Sequence, residues 1–498
     1  MEIVIASAPP PGLENQLRSW MTQYPRSRQL FAEGAPLATI FRYCGLALWS
    51  DKRFNEATSA LSTATRLAPN EPTNLAELGG ALRAAGKLAD ARDVLVASLA
   101  LDRDQLQTWL ILAGVENEIG DKAAAENAFL EALRIDASSA EALTGLGLLH
   151  FELRRFRSSA DLLSRALSES VVSMAIYACL GQALYLLGDF LPASIALEKA
   201  AQACPHETLI IQKFARARMI ATLIDNSAKQ AIEVYRSIAG DRAEDITIVC
   251  REAFQALIGF GRREAAVRLG RMLLEQDPDD PIISYHFEVL VGHVHSRAPS
   301  RYLKASFDSY APRFDKHLVE NLKYNVPATC CALLTETHER FSNVLDLGCG
   351  TGLAAKYLVS FGDNLIGVDI SPGMLEKAKE RGLYQHLVQS EAIEYLTNCD
   401  RQFELIIALD VLVYFGDLAQ LFESVGKRLL PGGIFALSFE TGNHDGYELL
   451  SSGRFSHNPA YIEVLSTEAF SPLTSVPTTI RLEANIPVEG FVVLLRRS

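Results

Sequence analysis

Three glycines spaced two apart, Gly348, Gly350 and Gly352, follow a short apolar run and precede a helix-forming stretch. Backbone without side chains lets a ligand approach closely, and amides at a helix start can meet its polar groups. A G-x-G-x-G pattern alone serves many ligands, but its surroundings narrow the choice. Asp346 stands two residues before the loop, where a dinucleotide site is normally apolar. A carboxylate there suits a cationic ligand better than a pyrophosphate. Asp369 closes the next apolar run, where a carboxylate can accept both hydroxyls of a ribose. No Lys-Ser or Lys-Thr pair follows the loop, which excludes a P-loop.

These residues need a frame of strands, loops and helices. VLDL (344–347) reads as a strand running into the glycines, with a helix expected from Leu353. LIGVD (365–369) is a second strand, with a helix from about Gly373. HLVQ (386–389), ELIIAL (404–409) and GIFALSFE (433–440) are further strands separated by helices. Such alternation predicts a mostly parallel sheet covered by helices on both faces, an α/β Rossmann-like domain. Two late strands are expected at about 478–484 and 490–496, the last (FVVLLRRS) as an edge or inserted antiparallel strand.

VLDLGCGTG and GVDIS resemble the first and second motifs of the class I S-adenosylmethionine (SAM)-dependent methyltransferases, and LLPGGIFALS resembles a later segment of that family. The resemblance covers roughly residues 300–498 and places a methyltransferase domain at 298–498. It implies SAM as cofactor. The backbone of Gly348, Gly350 and Gly352 would lie along the methionine part, near Asp346. Asp369, followed by Ile370, would bind the ribose. Glu391, followed by Ala392, would stand near the adenine amino group. Leu409 and Asp410, in IIALDVLVYFGDL, would lie beside the methionine moiety.

Upstream, a repeat dominates. Gly45, Gly79, Ala113, Gly147 and Gly181 recur at a constant interval. Phe54, Leu88, Lys122, Phe156 and Phe190 follow in the same phase, then Ala57, Ala91, Ala125, Ser159 and Ala193. Small residues let two antiparallel helices approach, the aromatic or Leu fills the gap, and alanines let the next pair stack. Gly86, Gly120 and Gly188 fall where the chain must turn. The pattern resembles tetratricopeptide repeats (TPR). Five units are placed at 38–207 after a lead-in at 1–37. Degenerate helices are placed at 208–297, including a sixth unit at 247–280. The fold class is thus an all-α TPR solenoid followed by an α/β methyltransferase domain. TPR arrays imply a groove for a protein or peptide partner. The basic run of Arg154, Arg155 and Arg157 reads as a solvated face.

FDSYAPRFDKHLVENLKYNVP (307–327) resembles the entry segment of bacterial TPR-fused methyltransferases and their trans-aconitate-methyltransferase-like relatives. That resemblance implies that Tyr310 and His317 help close over SAM. GRFSHNPAYIEVL (453–465) resembles a segment of the same subgroup facing the reaction centre, with Arg454, His457 and Tyr461 as its polar members. Methyl transfer needs alignment and exclusion of water more than a strong base. On this reading His457 is the candidate base or orienter, and Arg454 the candidate grip for an anionic group on the acceptor. Tyr310 and Tyr414 are candidate aromatic walls against the sulfonium.

Composition bounds the alternatives. The chain of 498 residues is too long for one core and carries net charge −13. Neither half is basic, and the fourth-strand motif reads LDVLV, without the proline pair that resembles base-amine methyltransferases. Nucleic acid is therefore not expected as partner. The eight cysteines form no CxxC pair, so neither a metal site nor a redox motif is expected. No apolar run is long enough to span a membrane. The opening MEIVIASAPPPG lacks a basic region before its apolar stretch, so a cytoplasmic protein is expected. Three functions fit: a protein methyltransferase recruiting substrate through its repeats, a small-molecule O- or N-methyltransferase using them for assembly, and a non-catalytic SAM-binding adaptor. The intact glycine loop with Asp369 and Glu391 argues against the third.

Overall fold

A computed structural model describes residues 14–169, 173–337, 339–467, 469–483 and 486–498. Residues 1–13, on which the absence of a leader was argued, lie outside them. Two compact units are present, Met1–Ala217 and Arg218–Ser498.

In the first unit, helices pair as Leu37–Ser50 with Phe54–Leu67, Pro72–Ala84 with Leu88–Leu101, Leu106–Ile119 with Lys122–Ile135, Ala140–Glu152 with Phe156–Glu169, and Met174–Leu186 with Phe190–Ala203. The small residue in each first helix has a steric reason. A Cβ added at Gly45 would lie 2.6 Å from Leu61 Cγ, at Gly79 2.5 Å from Leu95, at Gly147 2.7 Å from Leu163 and at Gly181 2.6 Å from Leu197. Each leucine occupies the same place in the second helix of its pair. The turns are equally regular: Gly86, Gly120 and Gly188 have φ of +75°, +98° and +80°. Lys52 and Arg154 occupy the equivalent turns with φ near +60°, at a cost of about 1–2 kcal/mol each. Ser159, where the pattern has Ala, donates its hydroxyl to Gly147 O at 2.8 Å.

The second unit begins with further helices, among them Ile246–Gly259 and Arg263–Gln276, a hairpin turned at Gly261 (φ +66°). Contacts within the second unit reach residues before 298. Tyr285 donates its hydroxyl to Gly453 O at 2.8 Å, Ala298 N–H donates to Tyr414 O at 2.8 Å, and Gly416 N–H donates to Ser296 O at 2.8 Å. Residues 285–298 are thus stitched to the loops of the sheet. Helices Pro281–Leu290 and Ser300–Tyr310 are separate, broken near Gly292 (φ +92°) and Pro299.

The strands are β1 Phe341–Leu347, β2 Gly362–Asp369, β3 His386–Gln389, β4 Phe403–Ala408, β5 Leu429–Glu440, β6 Tyr447–Leu449, β7 Phe455–His457, β8 Phe470–Glu483 and β9 Ile486–Arg497. Seven form one sheet in the order β3-β2-β1-β4-β5-β9-β8, and β6 pairs with β7. β1 to β5 are parallel, and β9 is inserted antiparallel between β5 and the edge strand β8. The continuous apolar runs of β1, β4 and β5 follow from burial on both faces. The helix expected from Leu353 shrinks to Ala355–Leu358. The chain crosses from β1 to β2 on one side and to β4 on the other, so a crevice opens beyond the carboxyl ends of β1 and β4.

Candidate active site

A cavity of ≈ 240 Å³ lies in the second unit at that crevice. Asp346, Gly348, Gly350, Asp369, Ile370, Glu391, Ala392, Leu409, Asp410, Tyr310 and Arg454 all line it. Strand ends and the loops after them account for most of this convergence.

The glycine loop has three jobs. All three glycines have positive φ: +72° at Gly348, +55° at Gly350 and +81° at Gly352. A Cβ at Gly348 would sit 2.4 Å from Val411 Cγ2, and one at Gly352 would sit 2.9 Å from Tyr384 Cε2. Those two permit packing; Gly352 does not itself line the cavity. A Cβ at Gly350 would meet only Phe314, at 4.0 Å, so the space above it is open. Asp369 holds the loop: its Oδ2 accepts the Gly350 amide at 2.8 Å and its Oδ1 accepts the Ser371 amide at 2.8 Å. Burial raises its pKa, while these amides pull it back down. Each oxygen keeps a further lone pair for a ligand.

Asp346 is buried and accepts the Tyr384 hydroxyl at 2.6 Å. Burial lifts its pKa to about 7, with Tyr384 opposing and Asp369 adding to the rise. A cation beside it would restore the charged form. Glu391 caps the helix Ala392–Asn398, its Oε2 accepting the Glu394 amide at 3.0 Å.

A wall formed by Ser300–Tyr310 and the turns after it is strapped down by two carboxylates. Asp308 Oδ1 accepts the Ser371 hydroxyl at 2.6 Å and the Gly373 amide at 3.1 Å. Asp315 accepts from Thr351 Oγ1 and Arg381. Tyr310 lines the cavity and hydrogen-bonds His317 Nδ1, while His317 itself stands behind it. Burial raises the Tyr310 pKa, so its hydroxyl is neutral and His317 orients the ring.

Two expected catalytic residues are bonded within the protein. His457 does not line the cavity; it is fully buried beside β5, stacked on Tyr461 (8° between rings). Its Nε2 donates to Phe415 O at 2.9 Å, and burial drops its pKa to about 4. The motif that suggested it carries no information about which way β7 turns its side chains. Arg454 reaches the cavity with each of its nitrogens already bonded within the protein. Nε donates to Glu440 Oε1 at 2.8 Å, Nη2 to Asp410 Oδ1 at 2.9 Å and Nη1 to Tyr414 Oη at 3.3 Å.

Arg481 of β8 completes a buried charge cluster the sequence did not reveal. Its Nη1 donates to Glu440 Oε1 at 2.6 Å and its Nε to Glu483 Oε1 at 2.8 Å. Burial works against ionisation of Glu440, but the two arginines prevail and leave its pKa lowered. The available signal was an arginine and a glutamate inside otherwise strand-like runs, TIRLE and FALSFE.

Residues 345–437 match the family described as "Methyltransferase domain". The ubiquinone biosynthesis O-methyltransferase of Coxiella burnetii is 31% identical over 108 residues, 21% of this chain and 46% of that protein. The malonyl-[acyl-carrier protein] O-methyltransferase of Pseudescherichia vulneris is 30% identical over 138 residues, 28% of this chain and 53% of that protein. The chain thus spans about half the length of these curated relatives. Among solved structures, N-methyltransferase NodS of Bradyrhizobium japonicum WM9 in complex with S-adenosyl-L-homocysteine (SAH) is similar at TM-score 0.33 and 18% identity, covering 39% of this chain and 98% of that one. The MamA protein is similar at TM-score 0.31 and 23% identity, covering 33% and 91%.

The segment carrying the glycine loop, Asp369, Glu391 and Asp410 thus matches a methyltransferase domain, and SAM is the group to test against the cavity. The residues fit it. Open space above Gly350 admits a ligand against the backbone, and the lining offers carboxylates to a ligand that carries a sulfonium, an ammonium and ribose hydroxyls. Among the described residues, no helix is long and apolar enough to cross a membrane.

Proposed function

We propose that this protein is a SAM-dependent methyltransferase whose helical hairpins, TPR-like in spacing, bring a polypeptide acceptor to the cavity. The observation that carries the methyltransferase reading is the joined pair of Gly350 and Asp369: an amide locked to a carboxylate beneath open space. When bound, SAM supplies an electrophilic methyl group on a sulfonium. Asp369 would take the ribose hydroxyls and Glu391 the adenine edge, with Ile370 and Ala392 against the ring. Asp346 would balance the ligand's positive charge, together with the backbone at Leu409 and Asp410. Tyr310, Phe314 and the strapped segment around them keep water from the reacting end.

Recruitment through the repeats rests on their regular stacking, which builds an extended surface of the kind such arrays use for partners. A small-molecule O-methyltransferase is the second reading, supported by the names of the curated relatives. Incubating the full chain with cell extract and methyl-labelled SAM separates them. Label in the polypeptide fraction is expected; label confined to small molecules would favour the second reading, and no transfer to either would contradict both.

A further inference from the structure

Asp410 lines the same cavity as the glycine loop. This residue has φ +60° and donates its amide to Ser438 Oγ at 2.8 Å. Left-handed backbone at a non-glycine residue is a cost kept where position matters. Its Oδ1 takes Arg454 Nη2 at 2.9 Å and lies 3.8 Å from Arg481 Nη1. Among the described residues its side-chain hydrogen bond and both its ion pairs fall on Oδ1, and Asp410 lines the cavity.

Both arginines that could have met an anion are committed. Every nitrogen of Arg454 and of Arg481 has an acceptor within the protein, among Asp410, Glu440, Glu483 and Tyr414. Three carboxylates face two guanidiniums, so the cluster carries one surplus negative charge. An anionic acceptor would meet guanidiniums whose charge is already offset by three carboxylates, and would be repelled by the surplus negative charge. A cation meets no such obstacle. It also finds Tyr310, Tyr324 and Tyr414 lining the same cavity; Arg313 and Arg454 already lie over the rings of Tyr310 and Tyr414, which shows that these aromatic rings attract cations.

We infer that the methyl acceptor is an amine, docked as its ammonium on Asp410 Oδ2 among Tyr310, Tyr324 and Tyr414; the inference rests on the methyltransferase reading. The ammonium sheds one proton to bulk water, and its lone pair then forms the N–C bond. As that bond forms, the C–S bond of the methylsulfonium donor breaks and the electron pair stays on sulfur. The nitrogen ends as a methylammonium, so Asp410 faces a positive charge before and after transfer. Asp410 therefore selects an amine over an acid of the same shape.

Equilibrium titration of the full chain, saturated with SAH, with n-butylammonium, n-butanol and butyrate at matched ionic strength tests this. Butylammonium is expected to bind at least about tenfold tighter than either of the others. Asp410→Asn, in which asparagine tolerates the left-handed backbone, should erase that preference. Equal or tighter binding of butyrate or butanol to the wild-type chain would overturn the inference, and that comparison needs no variant. A parallel loss of SAH affinity in Asp410→Asn would overturn it differently, by giving the carboxylate to the cofactor's own ammonium. Failure of the wild-type chain to bind SAH at all has a distinct signature: it removes the methyltransferase reading, and this inference with it.

Discussion

Gly350 donates its amide to Asp369 Oδ2 at 2.8 Å, so the loop after β1 and the carboxylate ending β2 form one rigid device. Asp369→Ala loses two things together, the loop's anchor and the ribose contacts. SAH affinity should fall by about 2–3 kcal/mol, the worth of two charge-assisted hydrogen bonds. Asp369→Asn keeps one acceptor oxygen and should fall between wild type and alanine. Calorimetric titration of the three proteins gives the order; unchanged affinity in a folded alanine variant would refute the assignment.

Gly350 and Gly348 should fail in different ways. Alanine at Gly350 meets only Phe314 at 4.0 Å, so its folding cost is the left-handed backbone, about 1–2 kcal/mol. Its methyl, however, enters the cavity and should block SAH. Alanine at Gly348 collides with Val411 at 2.4 Å and should lower the melting temperature more. Thermal unfolding and SAH titration on both variants check the contrast.

Asp346 makes binding pH-dependent. Its folded pKa is pushed up to about 7, above the roughly 3.9 of an unfolded chain. The folded state therefore binds the extra proton between those values, and this group's contribution to stability declines as pH rises from about 4 to about 7. A cationic ligand beside Asp346 reverses the preference and expels the proton. SAM binding at pH 6 should release protons, seen as a heat that varies with the buffer's ionisation enthalpy. Asp346→Asn should abolish the variation; identical heats in all buffers for the wild type would contradict the placement.

His457 should act on stability rather than on the reaction. Its folded pKa, about 4, lies below the usual 6.5. The unfolded chain binds more protons between those values, so stability from this group is full above about 6.5 and lost as pH falls toward 4. His457→Gln should flatten that slope and lower the melting temperature while leaving SAH affinity within about twofold. A large loss of SAH affinity without a loss of stability would return His457 to the site.

Local patterns made much of this legible. The strands β1, β2, β4 and β5 and the glycine loop announce themselves because burial on both faces demands apolar runs, and glycine takes the loop's φ values at the least cost. The repeat was legible because Gly45, Gly79, Gly147 and Gly181 each face a leucine at fixed distance along the chain. What escaped depends on tertiary placement. Arg481 and Glu440 are 41 positions apart and meet only because β9 lies antiparallel beside both their strands. Residues 281–298 have the helical texture of the repeats, yet Tyr285 and Ala298 bond to Gly453 and Tyr414. His457 sat in a promising motif but points into the core.

The most direct measurement is calorimetric titration of the full chain with SAH, beside Asp369→Ala and Gly350→Ala. The account predicts saturable binding at one site per chain, weakened at least about tenfold in both folded variants. Absence of binding to the wild type, or equal binding to all three proteins, would contradict it.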